Sequence, residues 1–169
     1  MALFTETADV SVRPAVAGDE VAMTRVQVSA WRTAHAATLG DAVVDLLDEP
    51  RMAAQWATAI TAPPGPGFAV LVACAGPVVV GFAAVAPGQI LALEVEPAAQ
   101  RQGHGSRLLS AAVDRLRTDR AEEVVTWILD GDAAREQFFA GAGLGPSGRT
   151  RTLAAGEREV RESRWSATL

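Results

Sequence analysis

The sequence predicts a mixed α/β fold, and three features of its residue pattern support this class. The first third of the chain, up to about Ile60, has a helical pattern, whereas the centre contains short apolar runs rich in β-branched residues. The segment 62–67, Ala-Pro-Pro-Gly-Pro-Gly, separates these two parts because proline and glycine end regular elements. Finally, the segment 91–109 combines an alternating apolar strand, a loop with two glycines and an amphipathic helix. We expect these elements to share one core.

The elements of the first half follow from local signals. Residues 10–13 alternate as a short strand, and Asp19 is a suitable N-cap for a helix that continues to about His35. The other elements predicted before the glycine loop are a helix at about 42–60, strands at 68–74 and 78–85 and, after a turn at 87–88, the strand 91–95.

The second half alternates helices and strands. The helix after the glycine loop is expected from about Ser106 to Arg117, with arginines where the helix dipole is negative. The unbroken apolar run 124–129 predicts a strand buried on both faces, beside the strand 91–95. The remaining predicted elements are a short helix capped by Asp132 and a terminal pair of strands at 149–153 and 159–167.

Length and composition predict one domain over residues 1–169. With 49% hydrophobic and 21% charged residues, the chain can bury one sizeable core. No apolar run reaches the roughly 20 residues that span a bilayer, and no signal-peptide pattern opens the sequence. We therefore expect a cytoplasmic protein without a membrane partner. Cys74 is the only cysteine, which excludes an internal disulfide and a cysteine-based metal cluster, and we expect no metal site.

The charge pattern argues against a nucleic-acid partner. The formal net charge is -5, and the 15 basic residues form no dense block of the kind that neutralises phosphates. An acidic surface is compatible with an amine substrate.

The loop Gln100-Arg101-Gln102-Gly103-His104-Gly105 is the main functional signal. Two glycines let the backbone come close to a ligand, and the unpaired amides at the start of the following helix favour an anion. The alternative is a plain strand-to-helix turn in which glycine serves geometry alone. A nucleotide-binding domain is disfavoured, because the loop lacks the Lys-Ser or Lys-Thr pair of nucleotide triphosphatases and the G-x-G-x-x-G order of dinucleotide sites.

Three segments carry a resemblance to a known family. V-x-P followed by Q-x-x-G-x-G, at 95–105, resembles the acyl-CoA motif of the GCN5-related N-acetyltransferases. The segment 30–35 is similar to the W-x-x-A-Y segment of the family's first helix, and 132–144 to its N-x-x-A-x-x-F-Y-x-x-x-G-F segment. The resemblance extends over nearly the whole chain. It implies a mixed, mostly antiparallel sheet of six to seven strands, with helices on both faces and a splay between the fourth and fifth strands.

The resemblance also implies a reaction and its donor. The protein would be an N-acetyltransferase that moves an acetyl group from acetyl-CoA to an amine by direct attack, without a covalent enzyme intermediate. Backbone amides of the loop would hold the pyrophosphate, and the amide of about Val95 would stabilise the charge on the acyl oxygen. The residues implied in binding the donor are Leu93, Glu94, Val95, Gln100, Arg101, Gln102, Gly103, His104, Gly105, Ser106, Asp132 and Phe139.

The general base is expected near the splay, and three residues are candidates. Glu94 comes first because it lies in the motif strand just before the loop. Strict alternation favours a solvent-facing Glu94, however, since Leu93 and Val95 take the core side. Asp130 and His35 are the runners-up. His104 is expected to be a solvent-facing loop residue.

Phe139 stands where the family usually has the tyrosine that protonates the departing thiolate. Because phenylalanine cannot donate a proton, an alternative function is a catalytically weak or inactive regulatory module that binds acyl-CoA. The acceptor is expected to be a small-molecule or peptide amine. By the same resemblance, the terminal strands are candidates for homodimer contacts.

Overall fold

A seven-stranded sheet is the framework of the computed structural model, which describes residues 10–169. Its strands are β1 (Val10–Pro14), β2 (Ala69–Ala75), β3 (Val78–Ala86), β4 (Gln89–Val95), β5 (Glu123–Leu129), β6 (Gly145–Ala155) and β7 (Arg158–Thr168). The helices are α1 (Asp19–Leu39), α2 (Asp41–Asp45), α3 (Glu49–Thr61), α4 (His104–Thr118) and α5 (Ala133–Gly141).

The strand order is β1-β2-β3-β4-β5-β7-β6, and the pairing is antiparallel except between β4 and β5. These two parallel strands pair at one position, Gln89 with Val125, near the start of β4. In a regular parallel pair, evenly spaced hydrogen bonds continue along both strands, whereas here β4 and β5 separate after this position. The mixed, mostly antiparallel sheet with a splay between its fourth and fifth strands is therefore confirmed.

Helices cover both faces of the sheet. On one face, α4 and α5 contribute Leu108, Leu116 and Phe139 to a core that also contains Leu93 and Ile128. On the other face, side chains of α1 and α3 pack on β2 and β3 in a second cluster, which includes Met23, Val26, Trp56, Val72 and Phe82. Because neither face is open, a polar residue on either side of a central strand can be buried.

Two helix starts differ from expectation. Asp19 is the first residue of α1 rather than its N-cap, because Gly18 takes the cap position with φ 104°. The Asp19 carboxylate accepts hydrogen bonds from Arg13 and the Val16 amide instead. Similarly, α4 begins at His104, two residues before the expected Ser106, where Gly103 supplies a cap with φ 86°.

The expected second helix over 42–60 is two helices. They separate at residues 46–48, where Asp48 accepts a hydrogen bond from the Arg51 amide at 3.0 Å and caps α3. A carboxylate placed three residues before an amide in this way starts a new helix. The cap signal at Asp48, followed by Pro50 in the first turn, was present in the sequence.

A bulge interrupts β4. Ala92 pairs with Ala84 and Ile90 with Val85, so Leu91 is an extra residue without a partner on β3. Ile90 and Leu93 both belong to the α4 side of the core, whereas Leu91 is 53% exposed. The expected regular alternation of Leu91 with Leu93 is therefore wrong. The inserted residue interrupts the alternation of side chains between the two faces, so Leu91 and Leu93 do not share a face.

Candidate active site

The gap between β4 and β5 is lined by backbone groups of β4. Glu96 donates its amide to the Val80 carbonyl at 2.7 Å, across the pair of β3 and β4. Antiparallel pairs alternate between bonded and unbonded positions, so the backbone groups of Leu93 and Val95 are directed away from β3, toward β5. The Val95 amide, expected from the sequence to meet an acyl oxygen, therefore points into the gap.

The glycine loop lies at the end of β4 and starts α4. Arg101 and Gly103 both have positive φ, at 63° and 86°, which turns the chain sharply before the helix. The Gln100 side chain donates to the Val95 carbonyl at 3.3 Å, and the Gln102 side chain to the Ala98 carbonyl at 3.5 Å. Gln100 thus holds the loop to the end of β4, and Gln102 holds it to the short turn that follows β4. The first turn of α4, in which Ser106 and Arg107 are exposed, is left to present its amides to an anion.

His104 is buried rather than solvent-facing, which corrects the sequence-based expectation. It is 1% exposed, and neither ring nitrogen has a hydrogen-bond partner within residues 10–169. Burial, and then the nearby Arg107 charge, lower the pKa of His104 below its ordinary value. The early start of α4 explains the difference, because it places His104 in the helix instead of in an open loop.

Glu94 is also buried, with 7% exposure, and the expectation of a solvent-facing side chain is wrong. Its Oε1 accepts a hydrogen bond from Trp31 Nε1 at 3.2 Å, and its Oε2 accepts one from Arg135 at 2.9 Å. Glu94 does lie on the face opposite Leu93, as strict alternation predicts. Its side chain is buried nevertheless, because α1 covers that face.

Arg135 is the site residue that sequence reasoning missed. Besides Glu94, its guanidinium donates to the Leu93 carbonyl at 2.9 Å and lies 3.4 Å from Asp132 Oδ2. Burial alone would lower the pKa of Arg135, but Glu94 and Asp132 outweigh it and leave the pKa above its ordinary value. A signal existed, since Arg135 occupies the alanine position of the N-x-x-A-x-x-F-Y segment.

His35 lies beside this charged cluster. It is 9% exposed, and its Nδ1 lies 3.8 Å from Asp132 Oδ2 without a hydrogen-bond partner among the described residues. Burial, and then the positive charge of Arg135, lower the pKa of His35, against the opposing charges of Glu94, Asp132 and Glu162. These surroundings therefore favour the neutral imidazole, the form that can accept a proton.

Asp132 and Asp130 have different surroundings. Asp132 accepts the Arg135 amide at 3.0 Å and caps α5, as the sequence predicts, while its other oxygen faces His35 and Arg135. Asp130, at the end of β5, is bound by Ser163 at 2.7 Å and Arg161 at 2.9 Å, both from β7. The structure thus brings Glu94, His35 and Asp132 together and leaves Asp130 outside this group.

Phe139 belongs to the core and not to the cavity wall. It is 1% exposed, and its ring packs edge-on against Phe138 with centroids 5.1 Å apart. Phe138 lies nearer the loop, since a Cβ added at Gly105 would be 3.4 Å from its ring.

A cavity of about 620 Å³ adjoins the gap on the α1 side of the sheet. His35, Glu94 and Arg135 lie in its wall, together with side chains of α1, α3, β4, β5 and the hairpin of β6 and β7. The volume is in the range of small-molecule sites. The cavity therefore offers room for an acceptor next to the gap where the donor is expected.

An open sheet that splits between two parallel strands, with a glycine loop at the end of the split and a cavity beside it, defines an acyl-CoA-dependent acyltransferase. The sequence model of the Acetyltransferase (GNAT) family matches residues 30–144. The chain belongs to this family, and it is an acyl-CoA-dependent N-acetyltransferase.

Solved structures of other acetyltransferases have the same fold. The PaiA N-acetyltransferase of Thermoplasma acidophilum, in complex with coenzyme A, has a TM-score of 0.81 at 13% identity, covering 95% of this chain and 99% of that one. The ribosomal-protein-alanine N-acetyltransferase of Brucella melitensis has a TM-score of 0.73 at 21% identity, covering 94% and 99%. The putative acetyltransferase YncA of Salmonella typhimurium, with acetyl-CoA, has a TM-score of 0.66 at 20% identity, covering 95% and 94%.

No curated protein matches the sequence. Among residues 10–169, none of the helices is both long enough and apolar enough to cross a membrane.

Proposed function

We propose that the protein acetylates an amine held in the cavity, with acetyl-CoA as donor and His35 as the general base. The observation that carries this assignment is a buried imidazole in the cavity wall, with its Nδ1 3.8 Å from the Asp132 carboxylate. Residues 1–169 then act as one acetyltransferase domain.

The donor site is assigned to the gap and the loop. The amides of residues 101–106 and the dipole of α4 suit a pyrophosphate, and the Val95 amide suits the acyl oxygen. Acetyl-CoA supplies the activated carbonyl carbon. Of the other residues expected to bind it, Gln100 and Gln102 support the loop through the hydrogen bonds described above, and Phe139 supports the packing beneath it.

His35 suits the base better than the other two candidates. Both carboxylate oxygens of Glu94 already accept hydrogen bonds, from Trp31 and Arg135, and Asp130 lies outside the cavity wall. A hydrogen bond from Nδ1–H to Asp132 would leave Nε2 of His35 to take the proton. This is the arrangement of a base oriented by a carboxylate.

The transfer balances without an acidic side chain. His35 removes one proton from the acceptor ammonium, the amine nitrogen forms a bond to the carbonyl carbon, and the carbon–sulfur bond breaks with its electron pair on sulfur. The nitrogen then loses its second proton, which reaches the thiolate through water, and His35 releases the first proton to solvent. Phe139 is compatible with this route, and the regulatory-module alternative has no observation in its favour.

His35→Gln tests the assignment. We expect kcat for acetyl transfer to fall about 10²- to 10⁴-fold, the usual contribution of a general base, while the Kd for acetyl-CoA stays unchanged. The fall in rate on the acid side of the wild-type pH profile should disappear. Asp130→Asn is the matched control and should retain the wild-type rate. A wild-type rate and pH profile in His35→Gln, together with a large loss in Glu94→Gln, would move the base to Glu94.

The location and the assembly are further proposals. We propose a cytoplasmic enzyme that forms a homodimer through its terminal strands. β6 supports the second part, because it lies at the end of the strand order and an edge strand has backbone groups open to pairing. Sedimentation at micromolar concentration would give the oligomeric state, and a monomer would contradict the proposal.

A further inference from the structure

The cavity wall is mainly apolar and aromatic. Three of the four tryptophans of the chain, Trp31, Trp56 and Trp127, lie in it, together with aliphatic side chains from both helices and strands. The aliphatic members include Leu39, Val43, Leu91, Leu129 and Leu153.

Two of the tryptophans have no polar group left for a ligand. Trp31 Nε1 donates to Glu94 at 3.2 Å, and Trp56 Nε1 donates to Gln27 at 2.8 Å. A tryptophan whose N–H is already bonded presents only its ring to whatever packs on it. These two residues therefore favour an aromatic or aliphatic body on the acceptor.

The carboxylates of the wall are neutralised from within the protein. Among the described residues that line the cavity, the acidic ones are Glu94 and Glu162. Glu94 is paired with Arg135 at 2.9 Å, and Glu162 accepts a hydrogen bond from Arg151 at 2.6 Å. A second ammonium group on the acceptor would enter this apolar space without a free counter-charge, which is costly.

The turn between β6 and β7 forms part of the cavity wall and packs against α2. Gly156, in this turn, packs so close to α2 that an added Cβ would lie 3.2 Å from Val43 Cγ2. Both residues are part of the cavity wall. A compact acceptor therefore suits a cavity of about 620 Å³.

We propose that the acceptor is a hydrophobic monoamine, with one amino group on a compact aromatic or aliphatic body. The reactive amine needs no carboxylate partner of its own, because it must lose its proton to His35 before attack. This inference rests on the proposed function of the same site and gives its substrate class.

A matched pair of amines tests the inference. Hexylamine and 1,6-diaminohexane differ by one ammonium group, and 2-phenylethylamine and spermidine extend the pair to an aromatic body and a polyamine. With acetyl-CoA as donor, release of the free thiol measures turnover. We expect kcat/KM for hexylamine to exceed that for the diamine by about tenfold or more, as burial of an unpaired charge requires. Equal or better turnover of the diamine or spermidine would overturn the proposal.

Failure of the proposed function is separable from failure of this inference. A protein that binds acetyl-CoA but acetylates neither these amines nor a broad panel of small-molecule and peptide amines contradicts the proposed function. In that case, calorimetric titration of hexylamine and 1,6-diaminohexane into the protein saturated with coenzyme A still tests the cavity. Tighter binding of the monoamine supports the inference, and tighter or equal binding of the diamine refutes it.

Arg151→Ala provides an internal test, because it frees a carboxylate in the wall without changing a residue of the wall itself. Glu162 would then be available to a second ammonium, and a hydrogen bond between charged groups is worth about tenfold in affinity. We expect the ratio of kcat/KM, diamine to monoamine, to rise about tenfold. A ratio that stays at the wild-type value contradicts the role of the Arg151–Glu162 pair.

Two controls accompany this variant. Arg117→Ala removes an arginine that pairs with Asp114 on the surface of α4, and it should leave the ratio unchanged. Arg151→Ala combined with Glu162→Gln should restore the wild-type ratio. A ratio that stays high in the double variant would show that Glu162 is not the group that binds the second ammonium.

Discussion

At the scale of single residues, Arg135 connects the elements around the active site. Its guanidinium contacts the Glu94 carboxylate, the Leu93 carbonyl and the Asp132 carboxylate, so one side chain of α5 bonds to two consecutive residues of β4. Buried charges persist only when paired, and the raised pKa of Arg135 indicates that its partners outweigh the cost of burial. His35 lies beside the same cluster, with its Nδ1 3.8 Å from Asp132 Oδ2.

Removing Arg135 should therefore cost more than removing a surface arginine. Arg135→Ala leaves Glu94 with one hydrogen bond and a buried charge, and we expect a loss of about 3–5 kcal/mol in the free energy of unfolding. Urea unfolding measures it. Arg115→Ala, which breaks a surface pair with Asp119, should cost less than about 1 kcal/mol. Similar losses in the two variants would show that the buried pair of Arg135 and Glu94 contributes no more to the free energy of unfolding than a surface pair.

Glu94 and Arg135 also show what residue patterns leave open. The donor loop could be predicted from its own residues, because glycine geometry and a helix start are local properties. The burial of Glu94 depends on α1, which is far away in sequence and covers the opposite face. The partner of Glu94 depends on how α5 is placed after β5. The residues around Glu94 therefore predict neither its burial nor its partner. The one indication in the sequence is an arginine at a position where the family segment has alanine.

At the scale of elements, the close packing of β3, β4 and α4 holds the donor gap in shape. Gly81 of β3 pairs with Val95 and leaves no room for a side chain. A Cβ added there would lie 2.9 Å from the Glu94 carbonyl oxygen and 3.1 Å from Leu108 Cδ1. The glycine is thus required by a close approach of backbone, which strand periodicity does not predict.

Gly81→Ala should damage both stability and donor binding. Overpacking of this kind costs about 1–3 kcal/mol, and relief by movement of β4 would displace the Val95 amide. We expect a lower unfolding midpoint and a higher Kd for acetyl-CoA, measured by thermal unfolding and calorimetry. Gly141→Ala, at the end of α5 with no atom within 4 Å of an added Cβ, is the control and should change neither. A wild-type unfolding midpoint and a wild-type Kd for acetyl-CoA in Gly81→Ala would show that β3 can move to accommodate the methyl group at no cost.

At the scale of the whole molecule, the order and type of most elements follow from the sequence, but their junctions do not. The break at Asp48 and the bulge at Leu91 are each set by one residue, and the covered second face is set by the packing of α1 and α3. Both histidines of the chain are buried, His35 in α1 and His104 at the start of α4, and the pKa of each is lowered, first by burial.

Stability should therefore fall as the solution becomes acidic. The unfolded chain binds protons at its histidines near pH 6.5, whereas the folded protein resists this until a lower pH. The free energy of unfolding therefore keeps its full value above about pH 6.5 and falls below that pH. The slope is at most about 1.4 kcal/mol per pH unit for each histidine.

Urea unfolding between pH 5.5 and 7.5 measures this dependence. The double variant with His35→Gln and His104→Gln should give a flatter profile than the wild-type protein. An equally steep profile would show that other groups are responsible.

The split in the sheet has a mechanical consequence. Because β4 and β5 pair at one position, the backbone joins two half-sheets, β1 to β4 and β5 to β7, at one end only. Arg135 belongs to the second half, as part of the helix that follows β5, yet it bonds to the first half at Leu93 and Glu94. The Arg135 guanidinium thus joins the two half-sheets across the gap. Its hydrogen bonds replace the backbone hydrogen bonds that hold neighbouring strands together elsewhere in the sheet.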